Sequence, residues 1–423
     1  MSRTLAERSN NEHPYAYVSC GKGLIVIMKK ALSIGLVVLM VAALMSGCGG
    51  PGGGSSSGGD MPVIRLGVFQ PATGANGAGG RQETLGIQYA NYVQPTVDIG
   101  GVTHRVELRI VDNQSDAATS PAAAQQLVAQ DVALVLGTYG SGAAMAASDI
   151  FRDAGLTAIG VTCTNPGVTL GNDHYFRICF LDPFQGQILA SLARDTLNAD
   201  VAYVLALAGD DYSVGLSSFF MEAFEAKGGI VHYETFPAGT SDFTTYMLNA
   251  RALNADVFFS PTSTEAAALI IDAAAAQDLG VPLLAGDTWD SNVVTGAAHG
   301  RDVRIYVTTF YQEGGSPEFD NGIKAWMNAD STHLQNNGGN DRVAGVTAMG
   351  YDAYFVALDI LRRAGSFTDQ DAIRRATWDT SFMGPVSGLI EFNENGDAAR
   401  DTAFVKSVNA QTGEWEFFAR QSL

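Results

Sequence analysis

The residues of this chain that could do chemistry stand at the ends of its apolar runs. The run from Ala133 to Tyr139 stops at Gly140, and Ser141 stands between Gly140 and Gly142 where a helical pattern begins. Small residues let a ligand approach the backbone there. The first N–H groups of a helix have no internal partner, and its dipole favours an anion such as a carboxylate. Ser141 adds a hydroxyl donor. A second run, P-L-L-A-G-D (282–287), ends in Asp287 within the turn G-D-T-W-D. Nothing pairs a nucleophile with a base. Ser141 has glycine on both sides but Tyr139 two positions before it, so no G-x-S-x-G elbow is present. The histidines at 13, 104, 174, 232, 299 and 333 are scattered, without metal-ligand spacing. Gly77-Ala78-Gly79-Gly80-Arg81-Gln82 begins like a dinucleotide loop but ends in glutamine, and the acid about 20 residues on is missing. No cofactor and no metal are expected.

The elements that must position these turns alternate strand and helix. V-I-R-L-G-V-F (63–69) is a buried-strand run, Gln82 to Asp98 reads as a helix with Leu85, Tyr89, Tyr92 and Val93 on one stripe, and 106–111 reads as the next strand. Ser120-Pro121 opens a helix, and Gly155 stops one that begins at Gly142. The pattern restarts near Tyr175 and continues through strands at 201–207, 230–236, 257–261, 282–287 and 304–310. Short apolar strands separated by helices imply parallel sheets covered on both faces. The end changes character: S-G-L-I-E-F-N (387–393), a turn at Asn395-Gly396, then 402–408 and 414–418 read as a C-terminal hairpin region. So many parallel strands exceed one compact core, and 423 residues suffice for two α/β lobes.

Composition narrows the class. Apolar residues make up 46% and charged residues 16%, the reverse of a disordered chain. A net charge of −19 repels phosphate backbones and argues against nucleic acid as a partner. Four cysteines are too few for a disulfide scaffold. Cys163 and Cys179 flank 15 residues across adjacent strands, which leaves open a disulfide or two separate thiols.

The N-terminal segment reads as an address. Met28-Lys29-Lys30 is followed by an apolar run, Ala31 to Met45, that is short for spanning a bilayer core. It ends in Met45-Ser46-Gly47-Cys48, which resembles the bacterial lipobox, with Met where leucine is usual. The resemblance implies a signal peptide over 28–47 and lipidation of Cys48, with an extracytoplasmic, membrane-tethered body. Residues 1–27 fit no targeting pattern and are expected to be an upstream extension ahead of a start at Met28. Residues 48–61 form a Gly/Ser tether, with a reach of roughly 20 Å.

Five stretches in order resemble bacterial substrate-binding proteins of ABC importers, of the leucine/isoleucine/valine-binding type. They are L-G-V-F-Q-P-A-T-G (66–74), V-L-G-T-Y-G-S-G-A-A-M-A-A-S-D-I-F (135–151), A-I-G-V-T-C-T-N-P-G-V-T (158–169), Y-F-R-I-C-F-L-D-P-F-Q-G (175–186) and D-D-Y-S-V-G (210–215). The resemblance covers about Val63 to Phe418. It implies two Rossmann-like lobes joined by three hinge crossings, near Leu181–Phe184, Thr309–Gln312 and Met383–Val386, with a ligand cleft between. One lobe would be 62–182 plus 312–384, the other 183–311 plus 385–423. It assigns a ligand carboxylate to Ser141 and Thr164, with Gly142 and the backbone at Thr162 and Cys163 beside them. It assigns a ligand ammonium to Asp287, here an aspartate where glutamate is usual. Tyr212 would form an aromatic wall, with Thr262, Thr264 and Trp289 as further candidates. Gly79 falls where branched-chain binders carry an aromatic residue, so a differently shaped pocket is expected.

The implied function is capture of an amino acid or amide-like compound and delivery to ABC permease subunits, by a monomer. A sensor of the same fold and a secreted α/β enzyme are the competing readings. The first has no output domain after residue 418, and the second lacks a nucleophile–base pair.

Overall fold

The computed structural model describes residues 61–422; the signal segment, Cys48 and most of the tether lie outside the described residues. Two sheets organise the body. The first contains β1 (Val63–Gln70), β2 (Thr96–Ile99), β3 (Val102–Asp112), β4 (Val135–Leu136), β5 (Ala158–Gly160) and β6 (Tyr175–Arg177), in the order β2-β3-β1-β4-β5-β6. Only the β2–β3 pair is antiparallel. The second contains β7 (Val201–Leu207), β8 (Ile230–Phe236), β9 (Val257–Phe259), β10 (Leu283–Ala285) and β11 (Ile305–Thr309), all parallel. Two further strands follow a short hairpin of β12 (Ser381–Gly384) and β13 (Gly388–Glu391). These are β14 (Thr402–Asn409) and β15 (Glu414–Ser422), which extend the second sheet antiparallel beyond β11.

The central strands of each sheet are buried on both faces, which is why they read as unbroken apolar runs. Ile64, Leu66 and Val68 of β1 pack with the helices Gly77–Val93 and Gly345–Ala364; Phe69 faces the other side with Ala144, Ala147 and Phe151. In the second sheet, Phe258 and Leu283 pack on one side with the helix Thr264–Ala276, and Phe259 and Leu284 on the other with Phe220 and Phe224 of the helix Asp211–Ala226.

Three expectations are corrected, and the choice left open at the two cysteines is decided. The helix read over Gln82–Asp98 runs from Gly77 to Val93; Pro95 has no N–H to continue it, and Thr96–Ile99 pairs instead with β3. The run 387–393 does not pair with 402–408: β13 pairs back to β12, and β14 pairs with β11 and β15. The turn at Asn395-Gly396 returns the chain to β6, where Asp397 bridges Arg177. Ile390 and Ala398 lie in the first lobe's apolar cluster, so the third crossing comes near Arg400–Thr402 rather than at Met383–Val386. Lastly, Cys163 and Cys179 are free thiols. Each is fully buried, in apolar clusters on opposite faces of the first sheet, which keeps them apart.

Arg177 anchors that return. It is fully buried; its Nε donates to Asp397 Oδ1 at 2.8 Å, and Nη1 donates to the Cys163 carbonyl at 2.9 Å. Removing one partner leaves the other charge buried and uncompensated, which costs about 3–5 kcal/mol. Asp397→Ala is therefore expected to lower the unfolding free energy by about that amount in a urea titration; a loss below about 1 kcal/mol would show that the pair is dispensable. Burial also pushes the Cys163 thiol up to about 12 and Cys179 well above its ordinary value. Both should resist a water-soluble thiol reagent at pH 8 in the folded protein and react on unfolding, as read by peptide mass mapping; labelling of either in the folded state would contradict its burial.

Candidate functional site

The turns singled out by sequence meet where the carboxyl ends of the two parallel sheets face each other, the place where open α/β sheets bind ligands. From the first sheet, Gly140 holds an extended backbone and the helix Ser141–Asp153 starts directly after it. Ser141 is buried, and its Oγ accepts from the Asn165 N–H at 3.2 Å. Thr162 and Thr164 follow β5 and are also buried. The Thr162 hydroxyl donates to Glu83, and the Thr164 carbonyl accepts from the Asp182 N–H at 3.0 Å.

From the second sheet, Asp210 caps the helix Asp211–Ala226 through the Ser213 N–H at 2.7 Å, which fixes Tyr212 in its first turn. Asp287 opens a 3-10 turn just after β10. Its Oδ1 accepts from Tyr212 Oη at 3.0 Å and from Gln185 Nε2 at 2.8 Å. Thr288 Oγ1 donates to the Thr262 carbonyl at 2.8 Å.

The halves touch. Tyr139 Oη donates to the Thr288 carbonyl at 3.0 Å, and Thr264 Oγ1 donates to the Ala75 carbonyl at 3.2 Å. Ser291 Oγ donates to Gln82 Oε1 at 3.1 Å, and Asn165 Nδ2 donates to the Asp211 carbonyl at 2.8 Å. Gly79 has a physical explanation in this arrangement. A Cβ there would overlap the Tyr139 ring, so an aromatic surface reaches this position from the neighbouring strand end.

Three carboxyl groups give the site its electrostatics. Glu83 is fully buried, held by Thr162 and Gln70; burial pushes its carboxyl up to about 8, against those two hydrogen bonds and with help from the Asp287 charge. Asp182 is fully buried at the first crossing and is pushed up to about 8 by the same cause, which the neighbouring Thr164 hydroxyl offsets in part. Asp287 rises to about 6, again through burial, with Gln185 and Tyr212 opposing. The nearby cations are engaged elsewhere: Arg177 with Asp397, and Lys406 with Asp290 at 3.0 Å.

Ser141, Gly142, Thr162, Thr164, Tyr212 and Asp287 thus converge, while other expected members play supporting parts. The Cys163 side chain packs in the core behind the first sheet. Trp289 is fully buried in the core of the second lobe, its Nε1 donating to Thr262 Oγ1 at 3.3 Å, so Trp289 and Thr262 brace the turn that carries Asp287. Sequence reading missed Gln70, Glu83, Tyr139, Asp182 and Gln185. An acid two residues before Leu85, within a helix whose apolar stripe is buried, was the visible signal for Glu83. Among the described residues no group of acids, histidines and cysteines is arranged to hold a metal.

Residues 63–413 match the family model described as periplasmic binding protein. The Leu/Ile/Val-binding protein homolog 3 of Brucella melitensis is 26% identical over 341 residues, covering 79% of this chain and 88% of that protein. An amino acid binding protein of Pseudomonas aeruginosa is 28% identical over 381 residues, covering 87% and 94%. The crystal structure of a leucine binding protein from Thermotoga maritima superposes with a TM-score of 0.72 at 30% identity, over 85% of this chain and 99% of that one. With the match running from the first strand into the last hairpin, and the two-sheet architecture shared with a solved relative, the chain belongs to the periplasmic binding protein family.

Proposed function

We propose that this protein is the extracytoplasmic substrate-binding component of an ABC importer. It captures an amino acid or a related small polar compound between its lobes and hands it to the permease. The observation that carries this reading is the junction itself: hydroxyls, a phenol and carboxyls from both sheets are buried together, on turns held by rigid strands. A guest that hydrogen-bonds both sides favours the closed arrangement by its differential affinity for it, and the crossings act as the hinge. The reading is of binding without turnover, in keeping with the family match over residues 63–413.

The lipid tether belongs to this proposal. Cys48 would carry the anchor, and the Gly/Ser segment would let the body turn above the membrane. Among the described residues no helix is long and apolar enough to cross a bilayer. Replacing Cys48 by serine is expected to move the protein from the membrane fraction to the soluble fraction of the cell and to end incorporation of labelled fatty acid. Label on the Cys48→Ser protein would defeat the assignment.

The ligand reading is tested by thermal-shift screening against amino acids, amino-acid amides, small amides and aromatic acids. A ligand at a hundredfold excess over its Kd stabilises the folded form by about 2.7 kcal/mol, enough for a clear rise in Tm. Small-angle scattering should show compaction with the same compound. For any compound that binds, Asp287→Ala is expected to weaken affinity at least tenfold while the far-UV circular dichroism stays unchanged. Affinity that survives the substitution would remove Asp287 from the site, and a library without a single stabilising compound would count against the binding reading as a whole.

A further inference from the structure

We propose that the junction takes a cationic, donor-rich small molecule, an amine or an amino-acid amide without a free carboxylate. This rests on the binding-protein reading above and narrows its ligand class. The corner of the first lobe that would receive a carboxylate is already answered by the chain's own acids. The Thr162 hydroxyl is turned onto Glu83. Asp182 lies against Thr164. At the start of the helix Ser141–Asp153, a carboxylate oxygen of Asp211 from the opposite lobe lies 3.3 Å from where a Cβ on Gly142 would be. A ligand carboxylate entering here would have to displace these contacts, and its negative charge would oppose the ionisation of the buried acids instead of being balanced by a cation.

The unsatisfied atoms point the same way. Gln185 Oε1 and both carboxyl oxygens of Asp182 are buried without a well-formed hydrogen bond, the Thr164 hydroxyl beside Asp182 being the one group near enough to help it. Gln185 Oε1 only accepts, and Asp182 keeps an accepting oxygen whether or not it is protonated; a buried acceptor without a donor is unfavourable. Ammonium and amide N–H groups would satisfy them. Among the described residues the buried cations nearby, Arg177 and Lys406, are held by Asp397 and Asp290.

The groups facing the three acids are mostly acidic or phenolic. Asp287 is near Asp290, Tyr212 and Tyr139 as well as Glu83 and Asp182. Around Asp182 stand Asp210 and the engaged Arg177, and around Glu83 stand Cys163 and Tyr175. Glu83 and Asp182 therefore keep protons near neutral pH. A bound ammonium favours their ionised forms and releases protons; a bound carboxylate disfavours them and takes protons up. The sign of the proton exchange separates the two classes.

The test is isothermal titration calorimetry of the purified protein at pH 7 in buffers of different ionisation enthalpy. The probes are L-leucinamide, putrescine, L-leucine and benzoate. L-Leucinamide or putrescine is expected to bind at least tenfold more tightly than L-leucine and benzoate, with net proton release. Glu83→Gln should weaken that binding at least tenfold and reduce the protons released. Asp182→Asn, read the same way, serves if the first variant does not fold. Tighter binding of L-leucine or benzoate, or proton uptake with any probe that binds, overturns the inference and leaves the binding-protein reading standing. Silence from all four probes overturns it too, and the broader reading is then decided by the library screen and scattering described above.

Discussion

Two parallel sheets that face each other through their carboxyl ends must bury whatever those ends carry, and here they carry acids. Glu83, Asp182 and Asp287 are inside the protein, and among the described residues none of them forms a salt bridge. An ionised carboxylate without a counter-charge is strongly disfavoured in such a place, so the group shifts its pKa and stays neutral. All three rise above the ordinary carboxylate value for that reason. The sign of the linkage follows. Between the ordinary range and about 8, the folded chain keeps protons on Glu83 and Asp182 that the unfolded chain has released, so these two groups lower stability as pH rises through that window. The packing on either side of the junction thus holds these acids in their neutral forms near neutral pH.

Much of the framework is tied to that junction. The helix carrying Glu83 packs along Gly345–Ala364, and the Thr347 hydroxyl donates to the Gln82 carbonyl at 3.0 Å, just before the acid. The Arg177–Asp397 pair fixes the loop after β5 through the Cys163 carbonyl, and that loop carries Thr162 and Thr164. On the other side Trp289 and Thr262 set the turn of Asp287. Each acid is thus presented by an element with its own core behind it, which makes the site's geometry a property of the lobes.

How much of this could be read in the chain follows from the range of the interactions. Strand and helix alternation is local, and the buried runs around Val63, Val201 and Leu283 showed it plainly. Ser141, Thr162, Thr164, Tyr212 and Asp287 sit directly after strands or in the first turn of helices, positions marked by glycines and caps. Glu83, Asp182 and Gln185 carry no such punctuation. Their place depends on which helix face meets which sheet, a contact between residues about 80 to 100 apart in the chain. The destination of the Asn395-Gly396 turn was hidden for the same reason. A hairpin signal says that the chain turns, and only the long-range pull of Arg177 on Asp397 says toward what.

The Asp287–Asp290 turn joins the two kinds of burial in four residues. At one end Asp287 faces the junction with only neutral donors, Tyr212 and Gln185. At the other, Asp290 is fully compensated: Lys406 Nζ lies 3.0 Å from both of its oxygens, the Gly345 N–H donates to it at 2.9 Å, and the Thr309 hydroxyl adds a further bond. Lys406 and Thr309 belong to the second sheet and Gly345 begins a helix of the first lobe, so this compensated acid sits across the hinge. A buried ion pair contributes little net stability but tolerates little displacement, because losing one partner leaves a charge stranded. The turn is therefore anchored at its hinge end, and the end facing the junction is free to respond to charge. The same short segment holds the register of the lobes and presents a buried carboxyl to the junction.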